Sequence, residues 1–221
     1  FVPMLKRWVA ATRKHNLHFW FRGNFSGWEK WFDYPSMTRQ EHTKKVGDFI
    51  RKHPDLFVDG DIFSSCPECE NGGPGDPRNT KDTQAYRAFL IDEYKTARSA
   101  FDSIGKRVAA NYFSMNGDVA RLIMDKPTTA ALGGLVVIDH YVPTVKQLVE
   151  DIRSFARDSG GKVVLGEFGA PIPDLHGKMT EQEQERYLAE ALGQLAQVPE
   201  LVGVNYWTNV GGSTQLWDEA G

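Results

Sequence analysis

Two periodicities of hydrophobic and polar residues alternate along the chain. Short runs that are apolar almost throughout predict six strands, at residues 17–25, 56–65, 107–115, 134–142, 162–170 and 201–210. Between these runs, apolar residues recur at helical spacing, which predicts amphipathic helices. Because strands and helices alternate strictly and the strands are apolar on both faces, the pattern predicts a parallel sheet covered by helices.

Local start signals place the helices between the strands. Two segments carry a Thr-x-x-Glu capping box, beginning at Thr38 and at Thr180. The longest periodic segment runs from about residue 82 to residue 104 and predicts the longest helix. The other helices are predicted at the opening segment 1–17, after Asn116 and after Thr144.

Most of the predicted strands end in polar or aromatic residues, and these ends favour a closed barrel over an open sheet. In a (β/α)8 barrel every strand end opens onto the one face where catalysis occurs. An open nucleotide-binding sheet is expected to carry a GxGxxG turn after its first strand, and none of the six runs ends in one. The strand-end residues are Asn24, Glu68, Asn116, His140 with Tyr141, Glu167, and Trp207 with Asn209.

The strand count sets the expected architecture. A (β/α)8 barrel has eight strands in about 250 residues, whereas six are predicted here. We therefore predict an α/β chain with the (β/α)8 TIM-barrel fold that lacks the first two strands, so that residues 17–25 form strand three. Residues 1–221 would then be a single catalytic barrel domain that is truncated at its N-terminus. A genuine six-stranded sheet is the alternative.

The candidate chemistry lies in two acidic segments. Glu167 ends the buried run "VLGEFGA", where an ionised group is costly to desolvate unless it meets water or substrate at a barrel mouth. Three βα units earlier, the segment "SCPECENGG" offers Glu68 and Glu70. Two carboxylates on opposite sides of one mouth suit glycoside cleavage, in which one protonates the leaving oxygen and the other attacks the anomeric carbon or activates water. The sequence alone does not choose between Glu68 and Glu70.

These segments resemble a known enzyme group. "GEFG" at a strand end resembles the nucleophile motif of glycoside hydrolase family 5 and its relatives in clan A, and "VNYWTN" is similar to their strand-eight Trp segment. The resemblance implies a (β/α)8 barrel with Glu167 as the nucleophile and Trp207 as the floor of a sugar subsite. Aligning "PEC" with the family's Asn-Glu-Pro implies that Glu68 is the acid/base. That alignment loses the family's Asn, so the chain resembles a divergent member of the clan.

Further candidate substrate contacts come from this resemblance and from polar or aromatic residues near the strand ends. "IDHYV" is similar to the clan's strand-six segment, in which a tyrosine commonly contacts the nucleophile, and strand alternation allows only one of His140 and Tyr141 to point at the site. The clan binds the sugar through an Asn and places an Arg near the nucleophile. Other residues of this chain would have to replace both contacts. The remaining candidate substrate-binding residues are Asn24, Asn71, Trp28, Trp31 and Asn209. Arg22 is a candidate for the clan's Arg near the nucleophile, with a structural ion-pair role as the alternative.

Composition limits the classes of molecule that the chain is expected to bind. A net charge of -3 argues against a nucleic-acid footprint, no apolar run is long enough to span a bilayer, and 12% aromatic residues suit stacking on sugar rings. We expect an oligo- or polysaccharide substrate, a monomer, and no metal or organic cofactor, since two carboxylates supply the chemistry. The sequence leaves the localisation unknown, because any signal peptide would precede Phe1. Secretion is favoured, since the N-terminus is predicted to be missing from this chain.

Three alternatives stay open at this point. Cys66 and Cys69 form a CxxC pair in a loop, for which a disulfide or two plain thiols is favoured over a redox or zinc site. A carbohydrate-binding barrel without catalysis would keep the aromatic residues but misplace the acid. A metal-dependent barrel enzyme would need clustered His and carboxylate ligands at strand ends, and His140 alone is placed for that role.

Overall fold

The computed structural model describes residues 1–25, 37–72 and 75–218. The chain consists of two compact units, Phe1–Phe113 and Ser114–Gly221. All strand pairs found in the described residues are parallel, as the alternation of elements predicts. None of the helices in the described ranges is both long enough and apolar enough to cross a membrane.

Unit 1 contains two paired strands and four helices among its described residues. β1 and β2 pair in parallel with Phe21 opposite Phe63, and Ile62 forms a further parallel bridge with Ala109. The elements in chain order are α1 (Val2–Lys14), β1 (Trp20–Arg22), α2 (Arg39–Lys52), β2 (Ile62–Ser64), α3 (Pro77–Thr80) and α4 (Thr83–Ser103).

Aromatic side chains fill the core of unit 1. The Phe57 ring lies 4.7 Å from Phe21 and 5.0 Å from Phe101, and Phe63 lies 5.6 Å from Phe101. All four rings are buried, and burying a side chain of this size contributes about 1.5–3 kcal/mol. The apolar faces of both strands and of α4 therefore meet in one cluster, which fixes the direction in which the ends of β1 and β2 point.

A buried carboxylate holds the starts of β1 and β2, the ends opposite to those that follow Arg22 and Ser64. Asp61, just before β2, accepts hydrogen bonds from the backbone N–H groups of Phe19 and Val58, both at 2.9 Å. Arg13 on α1 donates to it at 2.5 Å. A buried carboxylate that is paired and hydrogen-bonded in this way is a structural residue. The candidate site residues of unit 1 therefore lie at the other ends of these strands, after Arg22 on β1 and after Ser64 on β2.

Unit 2 contains a four-stranded parallel sheet in the order β3-β4-β5-β6. Every residue of β4 is buried, and β5 is buried from its second residue onward. This burial on both faces is what near-continuous apolar runs produce in a helix-covered parallel sheet. The elements are β3 (Ser114–Asn116), α5 (Gly117–Ile123), α6 (Lys126–Ala131), β4 (Leu135–Asp139), α7 (Val145–Ser159), β5 (Lys162–Phe168), α8 (Pro173–His176), α9 (Glu181–Leu195) and β6 (Leu201–Tyr206).

The helix boundaries follow the sequence signals. Thr38 and Thr180 cap α2 and α9 through the predicted capping boxes, and Thr144 caps α7 by accepting from the backbone N–H of Gln147. α7 ends at Gly160, whose φ of 70° is a left-handed conformation that glycine adopts without steric cost. The six predicted strands are all present but are shorter than their apolar runs.

Candidate functional site

Glu167 lies at the end of β5 in a locally irregular stretch of the sheet. The register between β4 and β5 shifts after Ile138, so that Leu165 pairs with Ile138 while Glu167 pairs with Asp139. Gly166 is therefore the extra residue of a bulge, and a Cβ there would overlap the Asp139 carboxylate and lie 3.0 Å from the Ser114 Cβ. The bulge places the Glu167 side chain, which is 9% exposed, near the end of a strand that is buried from its second residue onward.

Tyr141 contacts the candidate nucleophile directly. Its hydroxyl donates a hydrogen bond of 2.9 Å to Glu167 Oε2. The backbone is held as well, because the N–H of His140 donates to the Glu167 carbonyl oxygen at 2.9 Å. The hydrogen bond from Tyr141 holds Oε2 of Glu167. Because both oxygens belong to one carboxylate, the orientation of Oε1 is then defined as well.

His140 points to a different part of unit 2. Its Nε2 lies 2.9 Å from Asp151 Oδ2 on α7, and Arg121 on α5 donates to the other oxygen of the same carboxylate at 2.7 Å. The imidazole ring also packs edge-on against Phe155, 5.6 Å away. Neighbouring side chains of an extended segment point to opposite sides, so the structure brings Tyr141 and not His140 to Glu167.

Asp139 lies beside Glu167 in the candidate site and was not predicted from the sequence. It ends β4, it is buried, and one of its carboxylate oxygens lies within 4.8 Å of a Glu167 oxygen. The available signal was the same as for Glu167, namely an acidic residue that ends an apolar strand run. In "IDHYV" the predicted site residues were the adjacent His140 and Tyr141.

Trp207 follows β6 directly and stays open to solvent. Its backbone N–H donates to the Phe168 carbonyl at 2.9 Å, so the residue after Glu167 and the residue after β6 are joined by the sheet. The hydroxyl of Thr214 donates to the Trp207 carbonyl, and the peptide bond between Trp207 and Thr208 is cis. The Trp207 side chain is 46% exposed, so an aromatic surface is presented near the end of β6.

The two asparagines of "VNYWTN" have different surroundings. Asn205, which was not a predicted site residue, donates from Nδ2 to the Gly166 carbonyl at 2.9 Å and so supports the bulge before Glu167. Asn209 is exposed, and its backbone carbonyl accepts from the N–H groups of Leu216 and Trp217. Asn209 thus closes a turn after β6.

In unit 1, the candidate acid/base lies in a short loop that a disulfide closes. Cys66 and Cys69 are disulfide-bonded and buried, so of the states left open by the sequence the disulfide is the one observed. Between them, Glu68 is 8% exposed and has φ 45° and ψ 46°. This left-handed conformation is disfavoured for residues other than glycine, and such outliers concentrate at functional sites.

Glu70 faces a different neighbour. Burial raises the pKa of Tyr86 on α4 well above its ordinary value of 10.0, and the Glu70 carboxylate raises it further. Among the charged groups that raise the pKa of Tyr86, Glu70 contributes most. The structure thus separates the environments of Glu68, in a left-handed turn, and Glu70, beside the long helix.

The other candidates of unit 1 flank this loop in the sequence. Asn71 ends a 3-10 turn, Cys69–Asn71, and donates from its backbone N–H to the Glu68 carbonyl at 2.9 Å. Asn24 is half-buried just after β1, and the Arg22 guanidinium lies 5.9 Å from the centre of the Trp20 ring. Trp28 and Trp31 lie outside the described residues.

Among the described residues of unit 1, one group of potential metal ligands occurs. His42, Cys66 and Glu93 each place one ligand atom within 4.8 Å of the others. The Cys66 sulfur is disulfide-bonded, however, and it is the thiolate that binds metals. The ring Nδ1 of His42 also lies 2.6 Å from Glu93 Oε2. With the disulfide formed, these residues make a hydrogen-bonded network rather than a ligand set.

Comparison with known proteins shows the fold. No protein-family model matches the chain. The chain is similar to a β-glucuronidase from an uncultured Clostridium sp., with a TM-score of 0.52, 15% identity, and coverage of 81% of this chain and 33% of that one. It is also similar to a fungal β-1,4-galactanase (TM-score 0.61, 14% identity, 92% and 72% coverage) and to a β-glucosidase (TM-score 0.63, 13% identity, 96% and 71% coverage).

These structures are TIM barrels, and the predicted fold class is thereby confirmed. The described residues contain six strands, whereas such a barrel has eight. The chain spans about a third of the length of the glucuronidase that it matches.

Proposed function

We propose that this chain carries the catalytic residues of a retaining glycoside hydrolase that cleaves a β-linked glycan, with Glu167 as the nucleophile and Glu68 as the acid/base. The observation that carries the proposal is the Glu167 carboxylate at the end of β5, nearly buried and held by the Tyr141 hydroxyl at 2.9 Å. A carboxylate oriented by a second group is the arrangement that a covalent nucleophile needs. The fold supports the proposal, because catalytic residues of TIM barrels come from the carboxyl ends of the strands.

The proposed reaction has two steps. In the first, a Glu167 oxygen attacks the anomeric carbon while Glu68 gives its proton to the departing glycosidic oxygen, which forms a covalent glycosyl ester and breaks the glycosidic bond. In the second, Glu68 removes a proton from water, the water oxygen attacks the anomeric carbon, and the ester bond to Glu167 breaks. Each step inverts the anomeric centre, so the product keeps the configuration of the substrate.

Two features support a β-linked substrate of the carbohydrate class. The structural neighbours are named as a β-glucuronidase, a β-1,4-galactanase and a β-glucosidase. Trp207 offers a half-exposed aromatic surface one residue after β6, and the apolar face of a sugar ring packs well on such a surface. We propose that Trp207 forms the floor of the subsite that holds the sugar beside Glu167.

Azide rescue tests the two roles separately. The purified protein is first screened on aryl β-glycosides and β-linked polysaccharides, and the anomeric configuration of the first-formed product is read by NMR. Glu167→Ala should abolish turnover, and added azide should restore it with a glycosyl azide of inverted configuration. Glu68→Ala should lower kcat/KM by about 10²–10⁴-fold on poor leaving groups, retain activity on a dinitrophenyl glycoside, and yield with azide a product of retained configuration.

Glu70→Ala is the matched control for Glu68→Ala, because both remove a buried carboxylate from the same loop. We expect Glu70→Ala to retain the leaving-group dependence of the wild type. If Glu70→Ala shows the azide rescue instead, the acid/base assignment moves to Glu70. A product of inverted configuration from the wild type would contradict the double displacement, as would a separation far from about 5–5.5 Å between the Glu68 and Glu167 carboxyl groups in a trapped glycosyl-enzyme.

A further inference from the structure

Unit 1 contains a buried polar network that the proposed chemistry does not use. The Glu93 carboxylate, on α4, accepts a hydrogen bond of 2.5 Å from the Ser65 hydroxyl on Oε1, and its Oε2 lies 2.6 Å from His42 Nδ1. The backbone N–H of Phe25 donates to His42 Nε2 at 3.2 Å. The side chains of Ser65, Glu93 and His42 are all 0% exposed. We call these residues the Glu93 network.

The direction of the hydrogen bonds argues against a nucleophilic serine. A backbone N–H can only donate, so His42 Nε2 accepts and the ring proton sits on Nδ1, from which it is donated to Glu93. In a Ser-His-acid triad the serine donates to the imidazole. Here the Ser65 hydroxyl donates to the carboxylate instead. The Glu93 network therefore has the form of a structural clamp with a carboxylate at its centre.

The clamp joins the two strand ends that carry candidate site residues. Ser65 directly follows β2 and precedes the disulfide loop with Glu68, and Phe25 lies three residues after the end of β1, next to Asn24. β1 and β2 are parallel neighbours, so these ends lie at the same edge of their sheet. Through Glu93 and His42, both ends are tied to α4 and α2, the helices that cover them.

The loop that begins at Ser65 needs such a support. Glu68 adopts a left-handed conformation that L-residues other than glycine disfavour. Conformations of this kind persist only where the surrounding structure holds them. The disulfide closes the loop on itself, whereas the Ser65 hydroxyl fastens the start of the loop to α4 of unit 1 through Glu93.

We propose that the Glu93 network anchors the loop at residues 66–71 and thereby positions Glu68 for proton transfer. Ser65, Glu93 and His42 are positioning residues in this proposal, since they act through the loop and not on the substrate. The role in proton transfer rests on the function proposed above, while the anchoring of the loop is testable without it.

The first variant is Ser65→Ala, and its matched control is Thr43→Val. The Thr43 hydroxyl also donates to Glu93 Oε2, at 3.3 Å, but it does so from α2 and not from a strand end. Each variant therefore removes one hydroxyl donor from the same carboxylate. We expect Ser65→Ala to lower kcat by about 10- to 100-fold with KM within about twofold, because a misplaced acid weakens transition-state and not ground-state interactions. The basic limb of its pH profile should also shift, whereas Thr43→Val should match the wild type in kcat, KM and pH profile.

The second measurement needs no substrate. Both sulfurs of the disulfide are buried, so dithiothreitol reduces it in the native protein only when the loop opens. Ser65→Ala should accelerate this reduction by about tenfold, and Thr43→Val should leave the rate unchanged. Trapping of free thiols followed by mass spectrometry gives the rate. Should Ser65→Ala not fold, Glu93→Gln replaces it, since the amide keeps the volume but turns one acceptor into a donor.

The outcomes separate the two proposals. Faster reduction together with a lower kcat in Ser65→Ala alone supports the positioning role. Equal reduction rates in both variants overturn it, and so does a loosened loop with an unchanged kcat. If the wild type cleaves no glycoside, the proposed function fails, and the reduction rates alone then decide whether the Glu93 network anchors the loop.

Discussion

Gly166→Ala tests the bulge that places Glu167. The added Cβ would overlap the Asp139 carboxylate and lie 3.0 Å from both the Ser114 Cβ and a Val137 methyl group. These neighbours are buried, so they have little room to move, and overpacking of this kind costs about 1–3 kcal/mol. The variant should therefore unfold at lower temperature, by about 2–4 °C for each kcal/mol in a protein of this size.

Gly203→Ala, on the neighbouring strand β6, is the matched control. A Cβ at this position would meet the two Val164 methyl groups at 3.5 and 3.6 Å, which is ordinary van der Waals contact. Where the backbone suits alanine, replacing glycine stabilises a protein by about 0.4–1 kcal/mol, because the unfolded chain loses freedom. The two variants lie in the same unit, so their urea unfolding curves are directly comparable.

The expected difference in the free energy of unfolding between the two variants is about 1.5–4 kcal/mol. A difference below about 0.5 kcal/mol would refute the reasoning, since it would mean that Gly166 has the same free space as Gly203. Gly166→Ala should also lose the proposed glycosidase activity beyond its loss of stability, because the shifted backbone carries Glu167 with it.

Three further predictions concern single contacts. Tyr141→Phe removes the hydroxyl that donates to the candidate nucleophile, and since a hydrogen bond to a charged group contributes about 1.5–3 kcal/mol, kcat/KM should fall by about 10- to 150-fold; an unchanged value would contradict the role of this contact. Replacing Cys66 and Cys69 by Ser frees a closed loop of four residues, for which loop-closure entropy gives roughly 2 kcal/mol of lost stability in urea unfolding; equal midpoints would refute this. The backbone N–H and the hydroxyl of Thr180 lower the pKa of Glu183 from its ordinary value of 4.5, so its contribution to stability is complete above that value and disappears as pH falls through the lowered pKa of the folded state. Glu183→Gln should accordingly be less stable than the wild type at neutral pH and converge with it in acid, and a gap independent of pH would disprove the assignment.

The sequence determined the features that depend on a few neighbouring residues. The capping boxes at Thr38 and Thr180 start α2 and α9 as predicted, and the long helix α4 begins and ends within a residue of its predicted bounds. A cap is formed between residues three positions apart, so its signal is complete in a short segment. The fold class could be predicted for a similar reason, because the alternation of strand and helix periodicities can be recognised along the chain.

Strand lengths were only partly readable. The apolar run 107–115 predicted a long strand, whereas β3 comprises Ser114–Asn116. An apolar run reports burial, but a strand also requires a hydrogen-bonded partner in register, and that partner is distant in sequence.

The tertiary structure alone decided the arrangement around the candidate carboxylates. His140 and Tyr141 are adjacent and equally plausible in the sequence, yet Tyr141 contacts Glu167 and His140 binds Asp151 on α7. Asp139 gained its place only through the bulge that pairs it with Glu167. Such contacts depend on register and on helix packing between residues far apart in the chain, which no local pattern encodes.

The Glu93 network illustrates the same limit most clearly. Its three side chains come from α2, from the end of β2 and from α4, and they are separated by 23 to 51 positions. In the sequence each is an ordinary polar residue, and only folding removes all three from water. Because a buried carboxylate must then find donors, the packing of the helices against the strands, and not the sequence pattern, creates the network.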